Sequence, residues 1–392
     1  MSHLNAMLRD HIAHVYQNAP AIRYIMEQAG VTTDDIKTVA DLAKIPVTSK
    51  DTLQQWQQDN PPFGGFLAVT IRELKRIFLS PGPIYDPQGY LDEAALQIAS
   101  EMFIEQGFTP DDVVLNTFMY HLVPAGLLFD DALTRMGATV IPTGPGNADI
   151  QIKVMLDLQP TAYTGTPSFL EMLLEKAEQM GVTLPIEKAF FSAEPYFPAQ
   201  RQLFEGKYGI QTGQAYASAD LGIIAYERPN YTGWYIPRHL IVQICDPHTG
   251  EVLPDGEPGE VVVTSFNRAY ALIRFGTGDL SIKETEANGR EKLMGLLGRS
   301  GEAIKVRGMF LHPNAIRKAA SQFDNIQNIQ AVIGREGSRD TVQLQVILKS
   351  GSLDANALKN AVKEEARLSI DTVEIVDALE GSRTVRDTRV YQ

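Results

Sequence analysis

From Asp112 onward, short apolar runs alternate with amphipathic segments, and this alternation leaves few architectures open. Residues 113–115 read as a strand, 127–136 as a helix, 138–141 as a strand and 150–158 as a helix. Residues 161–163 then lead into a helix over 168–180, where Phe169, Met172, Leu173 and Ala177 share one face. A strand over 188–191 and a helix over 199–207 continue the series. Strands separated by helices require crossover connections, so the spacing predicts an α/β fold with a parallel sheet. Ligands of such sheets lie outside the carboxyl ends of the strands. The loops after Phe118, Pro142, Thr164 and Ser192 are therefore the places to look for function.

The flanks have a different texture. The first hundred residues read as helical, interrupted at Pro46, Pro61 and Pro62. After Arg228, residues 240–245 and 260–265 flank the turn-rich stretch DPHTGEVLPDGEPG, which predicts a hairpin or a small barrel. Beyond Gly298, Ala315, Ile316, Ala319, Ala320 and Phe323 make a helical stripe, and Val342, Leu344, Val346 and Leu348 alternate as a strand. Leu358, Ala361, Val362 and Ala366 make a second helix, and Val373 and Ile375 a last strand. The expected organisation is a large domain over 1–297 and a small, mobile α+β domain over 298–392. The glycine-punctuated GLLGRSGEAIKVRG would be the linker, with a hinge near 299–302.

Composition narrows the function. The length of 392 residues suits roughly two to three domains. A net charge of −13 argues against a general nucleic-acid binder, which needs basic patches to displace phosphate counterions. No run approaches the ~20 apolar residues of a membrane span, and no export signal is visible. One cysteine, Cys245, excludes an internal disulfide and any multi-cysteine zinc site. The expectation is an acidic, cytoplasmic enzyme.

Several segments could carry chemistry. In Thr164-Gly165-Thr166-Pro167, Thr166 can cap a helix that Pro167 begins, and that N-terminus can also receive an anion. The plainer alternative is a capped helix alone. Ser192-Ala193-Glu194-Pro195 and Tyr216-Ala217-Ser218-Ala219-Asp220 both follow strands on one expected edge. Their small residues let a planar ring approach the backbone, Tyr216 can stack on it, and Asp220 can reach a hydrated Mg²⁺. Asp279, after a glycine turn, can accept both hydroxyls of a ribose, or simply close an Asx turn. Arg299 could donate to a ribose or phosphate, and Lys305 and Arg307 could meet an anion; a solvated linker is the alternative. His121, beside Tyr120 at a strand end, could line a pocket. His11 and His14 lack metal-binding companions and are expected to be a satisfied surface pair, and Cys245 a buried structural thiol.

Taken in order, these segments resemble the adenylate-forming enzymes, most closely the phenylacetate–coenzyme A ligase family. The likeness runs from HIAHVYQNAP and KIPVTSKDTL through GATVIPTGPGN, YTGTPSFL, FFSAEPYFP and QAYASADLG to DPHTGEVLPDGEPGEVVVTS, LIRFGTGDL and GRSGEAIKVRGMFLHP. It implies an enzyme that joins a carboxylic acid to ATP, releases pyrophosphate, and passes the acyl group from AMP to coenzyme A. By the same resemblance, Ser192, Ala193, Glu194 and Pro195 would border the adenine, with Tyr216, Ala217 and Ser218 beside it. Asp220 would stand at the Mg²⁺-associated position, and Asp279 and Arg299 would hold the ribose. Tyr120, His121, Thr164, Gly165, Thr166 and Pro167 would approach the acyl group, and Arg307 and Gly308 the coenzyme A side. A homodimer is also among the implications; the zinc site that some relatives carry is not expected, because this chain lacks its cysteines.

The site departs from the family's pattern in three places. Its phosphate loop, usually rich in Ser, Thr and Gly with a lysine, here reads Leu79-Ser80-Pro81-Gly82-Pro83-Ile84-Tyr85-Asp86-Pro87. Three prolines lack an N–H, and Asp86 adds negative charge where phosphates would lie. The closing segment offers Gly381 or Ser382 where a lysine assists adenylation, with Arg383 beside it. Ala219 and Asp220 replace a threonine and a glutamate, and Gly301 replaces a charged residue at the hinge. The leading expectation is an AMP-forming acyl- or aryl-CoA ligase. The alternatives are a degenerate member that binds a nucleotide or acyl ligand, and a rerouted adenylate or acyl transferase.

Overall fold

The alternation after Asp112 folds as a set of adjacent parallel strands. In the computed structural model, the strands run Thr139–Pro142, Val113–Asn116, Ala162–Gly165, Lys188–Phe191, Gln211–Ser218 across the sheet. All four pairings are parallel. Helices Ala125–Met136, Ala148–Leu158 and Pro167–Gln179 make the crossovers. Gly165 is level with Phe191, and Phe191 with Gln214, so the carboxyl ends form one edge. The structure describes residues 2–80, 82–89, 93–299, 304–307, 309–311, 313–337, 339–366, 368–381 and 383–389.

At Gln211–Ser218 the sheet changes sense. Gly222–Glu227 pairs with it antiparallel, and the path continues through Trp234–Tyr235, Glu291–Arg299, Phe275–Thr285, Pro258–Ser265 and Leu240–Cys245. Residues 240–265 do form the expected hairpin, with Cys245 opposite Glu260. They are hydrogen-bonded, however, into the same sheet as the parallel strands, because the short Trp234–Tyr235 strand joins the two halves.

The N-terminal reading needs correction. Helices Ser2–Asn18, Pro20–Gln28, Lys50–Asp59 and Glu93–Glu105 are present, but between the last two lies an antiparallel hairpin, Leu74–Ser80 with Ile84–Gly89. The stretch expected as a phosphate loop is therefore largely strand, with Phe78 opposite Asp86 and Ser80 opposite Ile84. Pro81 lies outside the described residues. His11 is not on the surface: it is buried among Leu8, Ile12 and Val15 and meets Phe266 edge-on at 5.5 Å. Neither of its ring nitrogens has a partner among the described residues. Burial, helped by the positive charge of its neighbours, lowers its pKa to about 4. His14, by contrast, bonds the Arg268 carbonyl at 2.9 Å.

The chain divides into two compact units, Met1–Gly298 and Arg299–Gln392. The second has a four-stranded sheet in the order Thr372–Ile375, Arg339–Leu348, Ile326–Glu336, Val385–Asp387. Its central pair is antiparallel and its outer strands pair in parallel. Helices Pro313–Ala320 and Ala355–Ala366 bury Ile316, Ala319, Leu358 and Val362 in one core with Val342, Leu344 and Val346. Burying each of the isoleucine, leucine and valine side chains is worth about 1.5–3 kcal/mol. Among the described residues no helix is long and apolar enough to cross a membrane.

Candidate nucleotide- and acyl-binding edge

Two of the residues expected to approach the acyl group, Tyr120 and Thr164, meet at Asn116, the last residue of its strand and fully buried. Its amide nitrogen donates to the Tyr120 hydroxyl at 2.7 Å and to the Gly126 carbonyl at 2.9 Å. Its oxygen accepts from the Thr164 hydroxyl at 3.1 Å and the Phe118 N–H at 3.2 Å. Asn116, which sequence reasoning passed over, thus stitches Tyr120 to Thr164. The Tyr120 hydroxyl donates in turn to Asp130 at 2.8 Å, and burial and that carboxylate raise its pKa. Gly165 is required by close approach: a Cβ there would lie 2.0 Å from the Thr117 hydroxyl and 2.4 Å from that of Tyr163. His121 is exposed. The next residue, Leu122, takes a left-handed φ of 62°, and its carbonyl accepts from the Leu79 N–H at 2.7 Å. That bond ties this loop to the hairpin.

The cap expected of Thr166 comes from elsewhere. Thr166 makes no side-chain capping bond, and Glu194 accepts the Ser168 N–H at 2.7 Å. A carboxylate from the neighbouring loop therefore already occupies the positive end of the helix begun by Pro167. This fixes Ser192-Ala193-Glu194-Pro195 against the acyl-side loop. Ser192 is buried and donates to the Ala215 carbonyl at 2.9 Å, while Ala193 and Pro195 are exposed. Ala193 holds φ at 74°, a conformation costly for any residue with a Cβ.

The structure also joins two residues read separately as nucleoside contacts. The Tyr216 hydroxyl donates to Asp279 at 2.8 Å, although 63 residues separate them. Trp234 supports the Tyr216 ring, with centroids 6.3 Å apart. Asp279 lies in the strand Phe275–Thr285, where its N–H reaches the Thr277 hydroxyl at 3.2 Å and Thr277 bonds the Val261 carbonyl at 2.9 Å. Ala217 and Ser218 end their strand, and the Ser218 hydroxyl accepts from the Leu221 N–H at 3.2 Å, shaping the turn that carries Asp220.

Beside the 74–89 hairpin, Asp86 and Asp220 face one another. The Asp220 side chain is 1% exposed and forms an ion pair with Lys50 at 2.9 Å through Oδ2. Its Oδ1 and both Asp86 oxygens are buried without a hydrogen-bond partner among the described residues. Burial first, and then the Asp220 charge, push the Asp86 carboxyl well above the usual carboxylate range. The helix Lys50–Asp59, started by Ser49 accepting the Thr52 N–H at 3.1 Å, serves this cluster twice. Lys50 pairs with Asp220, and Gln57 bonds both the N–H and the carbonyl of Tyr85, at 2.7 and 2.8 Å. Gln57 also reaches the Tyr270 hydroxyl at 2.9 Å. Burial and the two carboxylates raise the pKa of that hydroxyl. The three orphaned oxygens suit a hard cation such as Mg²⁺, which takes oxygen ligands. Sequence reasoning noted Asp86 only as added charge and gave Lys50 no role.

In the second unit, the Arg307 guanidinium donates to the carbonyls of Asp340 at 2.8 Å and Ser369 at 3.1 Å and pairs with Asp371. It is committed within its own unit rather than lying in a solvated linker. Arg299 ends the strand Glu291–Arg299. Gly301, Gly308 and Ser382 lie outside the described residues. The Arg383 side chain is exposed. Cys245 is buried, as expected, and accepts from buried Arg274 at 3.2 Å. No group of three or more His, Cys, Asp or Glu residues is placed to hold a metal among the described residues.

A parallel α/β edge with paired aromatic and acidic side chains, continued by an antiparallel sheet and followed by a small α+β unit, is the architecture of a nucleotide-binding enzyme of the adenylate-forming fold. The AMP-binding enzyme family matches residues 90–269. The phenylacetate-coenzyme A ligase of Aromatoleum evansii is 30% identical over 371 residues, spanning 91% of this chain and 82% of its own. That of Escherichia coli K12 is 29% identical, over 92% and 87%. The chain belongs to the phenylacetate–coenzyme A ligase family of AMP-binding enzymes. Its fold is that of 2-hydroxyisobutyryl-CoA ligase in complex with 2-HIB-AMP and CoA, with a TM-score of 0.88 at 23% identity, over 98% of this chain and 89% of the other.

Proposed function

We propose that the protein is an AMP-forming acid–CoA ligase, acting on a carboxylic acid of the phenylacetate class through an acyl-adenylate. The observation that carries this reading is the Tyr216–Asp279 hydrogen bond at the carboxyl edge, beside the Ser192–Pro195 loop. Tyr216 would face the adenine, Ser192 to Pro195 and Ala217 and Ser218 would border it, and Asp279 and Arg299 would hold the ribose hydroxyls. Tyr120, His121 and Thr164 to Pro167 would bound the acyl group. ATP, Mg²⁺ and coenzyme A would be substrates or ligands, with Asp220 at the Mg²⁺ position. The segment 298–392 would rotate about a hinge near 299–302 between the two half-reactions, bringing Arg307 and Gly308 toward coenzyme A. The resemblance further favours a homodimer in the cytoplasm.

The test is AMP formation from ATP across a panel of aryl and aliphatic acids, with and without coenzyme A. AMP release that requires both acid and coenzyme A supports the ligase. Its absence across the panel counts against it.

A second reading rests on the Asp86–Asp220 contact and on the N–H groups and lysine missing from residues 79–87. In it the protein runs only the thioester-forming half, starting from a preformed acyl-adenylate. Synthetic acyl-AMP supplied with coenzyme A separates the two readings. Thioester formation without any ATP–pyrophosphate exchange favours this one.

A further inference from the structure

A buried carboxylate without a donor is costly, and such groups are paired, protonated or bound to a cation. The cluster beside the phosphate hairpin holds two carboxylates and one ammonium. Lys50 satisfies one oxygen of Asp220, leaving Asp220 Oδ1 and both oxygens of Asp86 buried and unpartnered among the described residues. Asp86 is 4% exposed. With both acids ionised, the cluster carries one net negative charge and presents three acceptor oxygens to each other. No N–H group among the described residues meets them; the Ser80 hydroxyl, which donates to the Ile84 carbonyl at 3.4 Å, lies close enough to Asp86 to act on its carboxylate as well.

We propose that Asp86 and Asp220 together form a divalent-cation site, in which a carboxylate of the phosphate hairpin is itself a metal ligand. Asp86 then supplies attraction for the metal where the hairpin has lost the donors that would attract phosphate. The parts of the fold that hold Asp86 in place are already built: Gln57 clamps the backbone of Tyr85, and Lys50 on the same helix orients Asp220. Lys50 lowers the charge of the metal-free site while leaving three oxygens for the ion. Two protein carboxylates also allow the ion to bind before any nucleotide does. The site deepens the ligase reading but does not need the acid or coenzyme A to be tested.

The experiment is a Mn²⁺ titration of the full chain without nucleotide, following the free-ion signal by electron paramagnetic resonance. Saturable binding of a single Mn²⁺ is expected, weakened about tenfold or more in Asp86→Asn. Lys50→Met removes the competing cation and is expected to bind Mn²⁺ more tightly. Asp34→Asn, at an exposed carboxylate, serves as the control and should bind as the unaltered protein does. Absence of saturable binding, or unchanged affinity in Asp86→Asn, overturns the site. So does a weakening in Asp34→Asn equal to that in Asp86→Asn. If Asp86→Asn does not fold, Lys50→Met decides: tighter binding supports the site, and unchanged or weaker binding overturns it. Ligase activity that persists without Mn²⁺ binding in the absence of nucleotide overturns the site alone and leaves the ligase reading standing.

Discussion

The proposed nucleoside side and the proposed phosphate side of the edge solve the same problem differently. On the nucleoside side, polar groups are paired in advance: Tyr216 donates to Asp279, and Ser192 to Ala215. A ligand there exchanges existing hydrogen bonds for its own. On the phosphate side, three buried carboxylate oxygens have no donor among the described residues, and one ammonium stands beside them. A ligand there must bring positive charge. The first arrangement selects by shape and hydrogen bonding, the second by charge. A buried acceptor left unsatisfied costs about 1–3 kcal/mol, so the second side is held together by its surroundings rather than by its own contacts.

The largest expected effect comes from breaking the nucleoside side. Asp279→Asn replaces a charged acceptor and should cost AMP binding about 1.5–3 kcal/mol, roughly a tenfold to hundredfold loss in a calorimetric titration. An unchanged AMP affinity removes Asp279 from the ribose site.

Acid tests a region outside the edge and so shows which pH effects belong to it. The pKa of His11 is about 4 in the fold against an ordinary 6.5. As pH falls from 6.5 toward 4, the unfolded chain gains a proton that the folded one refuses, and stability drops. At pH 5 the loss should be about 2 kcal/mol. His239, lowered to about 4 by burial, adds to it in the same direction. Urea unfolding of His11→Leu at pH 7 and pH 5 should show a smaller difference between the two than the unaltered protein does. An equal difference assigns the acid sensitivity elsewhere.

On the phosphate side the expected sign is reversed. In metal-free protein, Asp86→Asn removes an unpaired buried acid and offers an amide donor to the orphaned Asp220 oxygen. It should raise stability by about 1 kcal/mol in thermal or urea unfolding. A loss of stability shows that Asp86 makes a favourable contact in the metal-free state. Tyr216→Phe should have the smallest effect, about 0.5–1.5 kcal/mol on AMP binding, since it removes one hydroxyl and keeps the ring. If it equals Asp279→Asn, the hydroxyl positions the whole of Asp279.

Much of the fold was legible because burial repeats locally. The period of two in Val342, Leu344 and Val346 and the helical stripe of Ile316 and Ala319 describe single elements, and both are buried as read. The parallel strands and their carboxyl edge followed from alternation alone. The hairpin over residues 74–89 was missed because its prolines and its glycine read as loop and its flanks as helix. Thr166 had the right residue type for a cap, yet Glu194 does the capping from a neighbouring loop. His11 reads as half of a surface pair with His14 because no metal-binding companions follow it in sequence, whereas Phe266 covers it in space.

The sequence by itself determined the family, the order of strands and helices beyond Asp112, and which loops reach the carboxyl edge, since these depend on patterns within short windows. Only the tertiary structure decided which charges meet. Lys50 and Asp220 are 170 residues apart, and Asp86 joins them from a separate hairpin. No local period encodes such a meeting. It depends on how helix, hairpin and turn are stacked, and electrostatic energy depends on the distances that stacking leaves.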